Sequence, residues 1–185
     1  EGDCVFASAE SMLAKLDEGG GSVGGGVDTI VVLQHAPVYT LGTGSDPSFI
    51  KNAEGGGSDG VEVVRIERGG EVTYHGPGQL TIYPILDLRS YKQDIHWYMR
   101  ALEESILIAL AKAGVRGAAR EEDVTGVWIS NRKVAALGVK VRRWVTMHGM
   151  AINVDVRSLA NFEGIVPCGL EGREVTCVEH HTAAA

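Results

Sequence analysis

No apolar run in this 185-residue chain approaches the roughly 20 residues that a membrane-spanning helix needs. Nothing at Glu1 has the charged, apolar and small-residue order of a secretory signal, so the chain shows no address. Basic residues are in deficit: 17 Lys and Arg against 24 Asp and Glu leave a net charge of -7. That balance argues against general nucleic-acid binding, which needs a basic surface. Only three cysteines occur, Cys4, Cys168 and Cys177, with no CxxC pair. An odd and scattered set argues against a disulfide framework and a zinc site. It fits a reducing intracellular compartment, where a cysteine can serve as a free nucleophile. An HExxH helix and a GxSxG elbow are both missing.

What is present suffices for a packed core. Hydrophobic residues make up 44% and charged residues 22%, ordinary for a globular chain, and the length suits one domain over 1–185. The chain opens abruptly on what reads as a helix ending near Leu16, so a preceding segment is expected to be lacking. Glycine-rich stretches at 19–26 and 54–60 read as surface loops. TIVVLQH (Thr29–His35) reads as a buried strand, followed by VYTLG and by VEVVRIER from Val61. LTIYPILDL (Leu80–Leu88) is a strand in which Pro84 predicts an edge or a bulge. Asp94 caps a helix running to about Ala113, with Ile95, Met99, Leu102, Ile106 and Leu110 on one face and Gly114 at its stop. VTGVWIS and KVAALGVKV predict a hairpin turning at Asn131 and Arg132, and WVTMHGMAINVDV a further strand. SLANFEGI reads as a short helix and VTCV as a strand. Many strands and few helices predict a mixed α/β or α+β domain with a largely antiparallel sheet.

Chemistry concentrates in three places. RGGEVTYHGPGQL (Arg68–Leu80) holds four glycines, an arginine, a tyrosine and a histidine. It is not a dinucleotide fingerprint, because Thr81 stands where the third glycine would fall and a strand follows. Nor is it a P-loop, since no GK[ST] follows. Its glycines suit either close approach of backbone to a ligand or a tight link between strands. Cys168 sits in VPCG, between a stiffening proline and a freeing glycine, placed for attack; a small buried hydrophobe is the plainer reading. Cys4 and Cys177 read as such hydrophobes. Lys133, His75 and His148 are the candidates to activate a thiol. From Asn131 to Asn153 there is no acidic residue, while Arg132, Lys133, Lys140, Arg142 and Arg143 all fall there. This is a solvated face or a basic patch for an acidic partner.

RGGEVTYHGPGQLTIYPILDL, KVAALGVKV, VTMHGMAINVD and IVPCG with VT, in that order, resemble the octanoyltransferases, the lipoyl(octanoyl) transferase family. The likeness runs from LQHAPVYTLG at Leu33 to Val178, with Ala36 where proline is common and Cys177 where serine is common. It implies the fold of biotin and lipoate protein ligases: one α/β (α+β) catalytic domain with a large mixed sheet, a smaller sheet and flanking helices. It implies octanoyl transfer from acyl carrier protein to a lysine on lipoyl domains of 2-oxoacid dehydrogenases and the glycine cleavage protein. By motif, Cys168 is the acyl-thioester cysteine and Lys133 the lysine that activates it. Arg68, Gly69, Gly70, Glu71, Val72, Thr73, Tyr74 and His75 form one substrate-binding stretch. Ala136, Leu137 and Gly138 form a second, and His148, Gly149, Met150 and Ala151 a third, with Leu137 and Met150 lining a path for the acyl chain. No metal or cofactor is implied, octanoyl-acyl carrier protein being a substrate, and neither nucleic acid nor membrane is a partner. The wording RSYKQDIHWYMRALEE is similar to plant or algal members, so a plastid or mitochondrion is expected, or the cytoplasm for a bacterial chain. An ATP-dependent lipoate-protein ligase on the same fold is the alternative, as is a non-catalytic module that binds acyl carrier or lipoyl domains; Cys168 and Lys133 weigh against both.

Overall fold

The Asp94 carboxylate accepts the backbone N–H of Trp97 and starts helix α1 (Ile95–Lys112) where the sequence provides the cap. The helix stops at Gly114, whose φ of +82° is a left-handed conformation open to glycine. Tyr98, Leu102, Ile106 and Leu110 recur at four-residue spacing and are buried. Ile95 is not on that face. It is 47% exposed, and the apolar stripe begins instead with Tyr98.

The computed structural model describes residues 28–50, 60–122, 124–165 and 173–182. The helix expected before Leu16, the glycine loops, except for Gly60, and both Cys4 and Cys168 lie outside them. No helix among the described residues is long and apolar enough to cross a membrane.

The strands are β1 (Thr29–Leu33), β2 (Val38–Leu41), β3 (Glu62–Arg65), β4 (Val72–His75), β5 (Gln79–Ile85), β6 (Ala118–Ala119), β7 (Val127–Ile129), β8 (Arg132–Arg142) and β9 (Val145–Asn153). They build a six-stranded sheet, β1-β5-β9-β8-β7-β6, and a three-stranded sheet, β3-β2-β4. Each pairing in the larger sheet is antiparallel. In the smaller one β2 runs parallel to β3 and antiparallel to β4. Helix α1 packs on the larger sheet, where Leu102, Ile106 and Leu110 meet Val127, Ile129, Val134 and Ile152. A second core gathers Tyr39, Val72, Tyr74, Phe162 and Ile165 on the smaller sheet. The α+β architecture of two unequal sheets is the one expected.

Local details depart from expectation for physical reasons. β1 is an edge strand, not a buried one: Ile30 and Val32 are 62% and 57% exposed. Pro84 lies on an interior strand, yet the β5–β9 ladder ends at Ile82 opposite Met150, before the proline. The Thr146 hydroxyl fills the gap, donating to the Pro84 carbonyl at 2.7 Å and accepting from the Leu86 N–H at 2.9 Å. The β7–β8 turn uses Ser130 and Asn131, at φ +49° and +63°, one residue earlier than expected. Paired left-handed residues match the twist of the strands they join. Arg143 and Trp144 do the same for β8–β9, and the Trp144 carbonyl is held by the Leu88 N–H at 2.8 Å. SLANFEGI forms two short 3-10 turns, Val156–Leu159 and Phe162–Gly164. VTCV is not a strand. Val175 makes one bridge to Lys133, and Cys177 is the buried residue that precedes the 3-10 turn Val178–His181.

Candidate functional site

Gly76-Pro77-Gly78 is a turn, not a ligand cradle. Pro77 supplies its fixed φ, Gly78 stands at +82°, and the Gln79 N–H returns to the Gly76 carbonyl at 3.2 Å. The turn carries the chain from β4 in the smaller sheet to β5 in the larger. A Cβ at Gly78 would run into the Asp155 carboxylate. Neither glycine borders the cavity that opens beside this link.

That cavity lies where the smaller sheet meets the larger. On one side are Arg68, Gly70, Glu71, Val72, Thr73 and His75; on the other are Thr81 and Tyr83 of β5 with residues 136–138 of β8 and 148–151 of β9. Strand register makes the floor. Ala136 faces Ala151 and Gly138 faces Gly149 across the β8–β9 ladder, so four small residues share one face. The loop of Arg68–Gly70 lies on it. The Gly69 N–H donates to the Val139 carbonyl at 2.9 Å, and a Cβ on Gly138 would stand 2.7 Å from the Gly69 carbonyl. A Cβ on Gly149 would press on the Ile82 carbonyl and on Pro84 Cδ. Gly149→Ala should therefore cost about 1–3 kcal/mol, read as a lowered urea midpoint at unchanged slope.

Met150 faces the other way. It belongs to the core beneath α1, where the Ser105 hydroxyl lies 3.9 Å from its Sδ. Leu137, opposite Met150 in the ladder, also packs against that core. Both border the cavity. Met150 also borders a larger apolar groove of about 600 Å³ between α1 and the β1–β5 edge.

Arg68 is held by the smaller sheet. Its guanidinium donates to the carbonyl and hydroxyl of Thr40 at 2.8 and 2.9 Å, while its own carbonyl takes the Thr43 N–H. Beside it stand three histidines and a tyrosine. His35 Nε2 is 2.8 Å from the Tyr83 hydroxyl, the His35 and His75 rings lie tilted at 48° with centroids 5.4 Å apart, and Tyr83 meets His148 edge-on. His148 has φ +59°, which breaks the alternation of β9 and lets its ring border the same cavity as Gly149. Burial pushes His75 down to about 3, outweighing a hydrogen bond to Gln79. Burial, helped by the Arg68 and Lys140 charges, takes His148 to about 4, and burial also lowers His35. The native state thus resists protons that the unfolded chain binds below pH ~6.5. Stability should be full above pH ~6.5 and fall as pH drops toward 4 and then 3, at up to about 1.4 kcal/mol per pH unit for each imidazole. Urea midpoints measured from pH 7 to 4 check this, and His148→Asn should flatten part of the slope.

Lys133, the second residue of β8, is buried, though it is not among the residues bordering the cavity. Its Nζ stands 4.7 Å from the centre of the Trp128 ring, and the Arg173 guanidinium lies at the same distance from that ring. Its backbone receives the chain that returns after Cys168: Lys133 N–H donates to the Glu174 carbonyl at 3.0 Å, and Thr176 N–H to the Lys133 carbonyl at 2.9 Å. Arg173 is held further by Glu121 at 2.7 Å. The loop carrying Glu121 is fixed in turn by Arg100 and the buried Glu103, whose carboxylate accepts the Gly126 N–H.

Of the residues singled out by sequence, Gly69 and Tyr74 do not border the cavity. Gly69 supports the floor, and Tyr74 packs between Tyr39 and Phe162 in the second core, because alternation along β4 turns it away from Thr73 and His75. Cys168 lies outside the described residues. Sequence reasoning missed Ile66, Thr81, Tyr83 and His35. The signal for Thr81 and Tyr83 was their two-residue spacing, which places them on one face of β5 opposite Ile82 and Pro84. In the basic patch Lys140 is paired with Glu67, and Arg142 and Arg143 are exposed. Cys177 is fully buried and burial pushes its thiol up, which suits a packing role. Among the described residues no group of three or more His, Cys, Asp or Glu is placed to hold a metal ion.

Comparison with known proteins adds a lineage to this geometry. Residues 5–184 match the profile of the lipoyl protein ligase A/B catalytic domain. The chain is 56% identical over 143 residues to an octanoyltransferase of Gloeobacter violaceus, covering 77% of this chain and 62% of that one. It is 49% identical over 156 residues to a chloroplastic octanoyltransferase of Arabidopsis thaliana, covering 82% and 53%. The chain thus spans somewhat over half the length of these curated relatives. Among solved structures, lipoate-protein ligase A bound with ATP superimposes with a TM-score of 0.71 at 16% identity, over 87% of this chain and 67% of that one. A bipartite lipoate protein ligase from Thermoplasma acidophilum gives 0.68 at 17% identity, over 87% and 66%. At such identity these structures speak for the fold alone.

Proposed function

Because this chain belongs to the lipoyl protein ligase A/B catalytic-domain family, we propose that it is an octanoyltransferase that acts through an acyl-thioester on Cys168. The observation that carries the reading is the likeness, at 49–56% identity, to octanoyltransferases. The donor is an octanoyl thioester of acyl carrier protein, and the acceptor is a lysine of a lipoyl domain, as in 2-oxoacid dehydrogenases and the glycine cleavage protein.

The steps balance without a cofactor. Cys168 starts as a thiolate beside the Lys133 ammonium. The thiolate attacks the donor carbonyl; a new C–S bond forms, the carrier's C–S bond breaks, and the departing thiolate takes a proton from Lys133. The acceptor amine then attacks the acyl-enzyme. A C–N bond forms, the Cys168 C–S bond breaks, and neutral Lys133 takes the amine proton, restoring the starting state. Exchange between thioesters is nearly isoenergetic, so neither ATP nor a metal is required. Arg68, His75 and His148 flank the acyl carbonyl in this reading, with backbone of the floor beneath it, and exposed Arg142 and Arg143 suit an acidic carrier. The chloroplastic relative favours a plastid as its site of action.

Intact-mass measurement after incubation with octanoyl-acyl carrier protein tests the reading. A single octanoyl adduct, lost on adding a lipoyl domain that gains it, is the expected result. An adduct that requires free octanoate and ATP would replace this reading with a ligase.

A further inference from the structure

Three side chains and the backbone of Thr176 form a continuous buried chain behind the cavity. His75 Nδ1 is 2.7 Å from Gln79 Oε1, and Gln79 Nε2 is 3.0 Å from Asn153 Oδ1 and 3.1 Å from the Tyr74 carbonyl. Asn153 Nδ2 donates to the Thr176 carbonyl at 3.0 Å, and the Thr176 N–H donates to the Lys133 carbonyl. His75, Gln79, Asn153 and Thr176 are all at least nine-tenths buried.

The direction of every bond follows from the two carbonyls, which can only accept. The Tyr74 carbonyl demands the amide nitrogen of Gln79. The Thr176 carbonyl demands the amide nitrogen of Asn153, leaving Asn153 Oδ1 to accept from Gln79. Gln79 Oε1 is then the atom that faces His75, and it too can only accept. The proton between them must therefore be on His75 Nδ1. A buried imidazole with no carboxylate among its described contacts is neutral and carries one ring proton. Nε2 is left with a bare lone pair, and no described residue donates to it. The ring borders the cavity.

We infer that Gln79 and Asn153 are positioning residues that hold His75 in its Nδ1–H form, so that Nε2 is a fixed hydrogen-bond acceptor for the attacking amine of the acceptor lysine. This rests on the octanoyl-transfer reading for the identity of the donor group, and on geometry alone for the tautomer. An acceptor holding one amine N–H turns the nitrogen lone pair toward the acyl carbon. Because the same chain of bonds ends on Thr176 and Lys133, it fixes His75 relative to the lysine proposed to take the amine proton. Neither amide is expected to touch substrate.

Long-range ¹H–¹⁵N correlation on histidine-labelled protein near neutral pH reads the tautomer directly. The expected spectrum of His75 has a protonated Nδ1 and a bare Nε2. In Gln79→Leu the resonances should move toward the Nε2–H form. Single-turnover acylation of Cys168 should stay near wild type, transfer to the lipoyl domain should slow about tenfold or more, and KM should change little. A wild-type His75 protonated on Nε2 overturns the inference whatever the variants do. So does a Gln79→Leu protein that keeps both the tautomer and the transfer rate. Should the wild type form no octanoyl adduct yet show the Nδ1–H signature, the transfer reading fails and the tautomer assignment stands.

Discussion

Cys168→Ala should form no octanoyl adduct and should slow octanoyl transfer by at least about 10⁴-fold, the scale on which loss of a nucleophile is felt. The proposed path has no second nucleophile to fall back on. Cys177 is buried with its thiol pushed up, and Cys4 lies more than 160 positions away in sequence. Cys168→Ser sharpens the test. A hydroxyl keeps the size of the group but is a far weaker nucleophile toward a thioester, so any residual adduct should accumulate slowly. Folding is a separate question with a separate readout. The anchor just beyond this segment is made by other residues: Arg173 lies on Trp128 and pairs with Glu121, and Glu174 and Thr176 bond to the Lys133 backbone. Circular dichroism and thermal midpoint should therefore match wild type. An alanine variant that still acquires the acyl group would sink the mechanism.

Lys133→Met should reduce both half-reactions by about 10²–10⁴-fold, the usual yield of a positioned proton-transfer group. Methionine is the informative replacement. Lys133 acts twice, through its backbone and through its ammonium, and the backbone bonds to Glu174 and Thr176 persist with any side chain. Methionine also fills the buried volume against Trp128 while removing the charge. The cation–ring contact is lost, at a cost of about 0.5–2 kcal/mol. Burying a thioether in place of an ammonium offsets part of that. Rapid-quench measurement of acylation and of transfer should show both slowed in a protein of near-normal stability. Wild-type rates would remove Lys133 from the role given to it.

Much of the local structure was legible. Asp94, the Tyr98–Leu110 spacing and Gly114 specify a helix by interactions within a few residues of chain. Alternating and β-branched runs specified the strands for the same reason. The resemblance also singled out Arg68–His75, Ala136–Gly138 and His148–Ala151, and most of these residues border one cavity. Other features were not. The exposure of Ile30 and Val32 depends on β1 being an edge, which is a property of strand order. Pro84 was read as the signal of an edge or a bulge, but it is accommodated by where one ladder ends and by a hydroxyl from Thr146, 62 residues away. Tyr83 and His35 were passed over. Composition cannot tell which of a strand's two faces meets the cavity.

The sequence by itself determined which residues turn, cap and alternate, and it supplied the ordered motifs by which the chain resembles its family. Those depend on interactions between near neighbours, which any short window contains. Only the tertiary structure decided that Gly76 and Gly78 serve a turn between sheets, that Ala136 and Gly138 meet Ala151 and Gly149 in a floor, and that His75 is joined through Gln79 and Asn153 to Thr176. A period-two strand has two faces of equal standing until its neighbours and register are fixed. That choice is made by packing across tens of residues, where one shift of register would exchange floor for core.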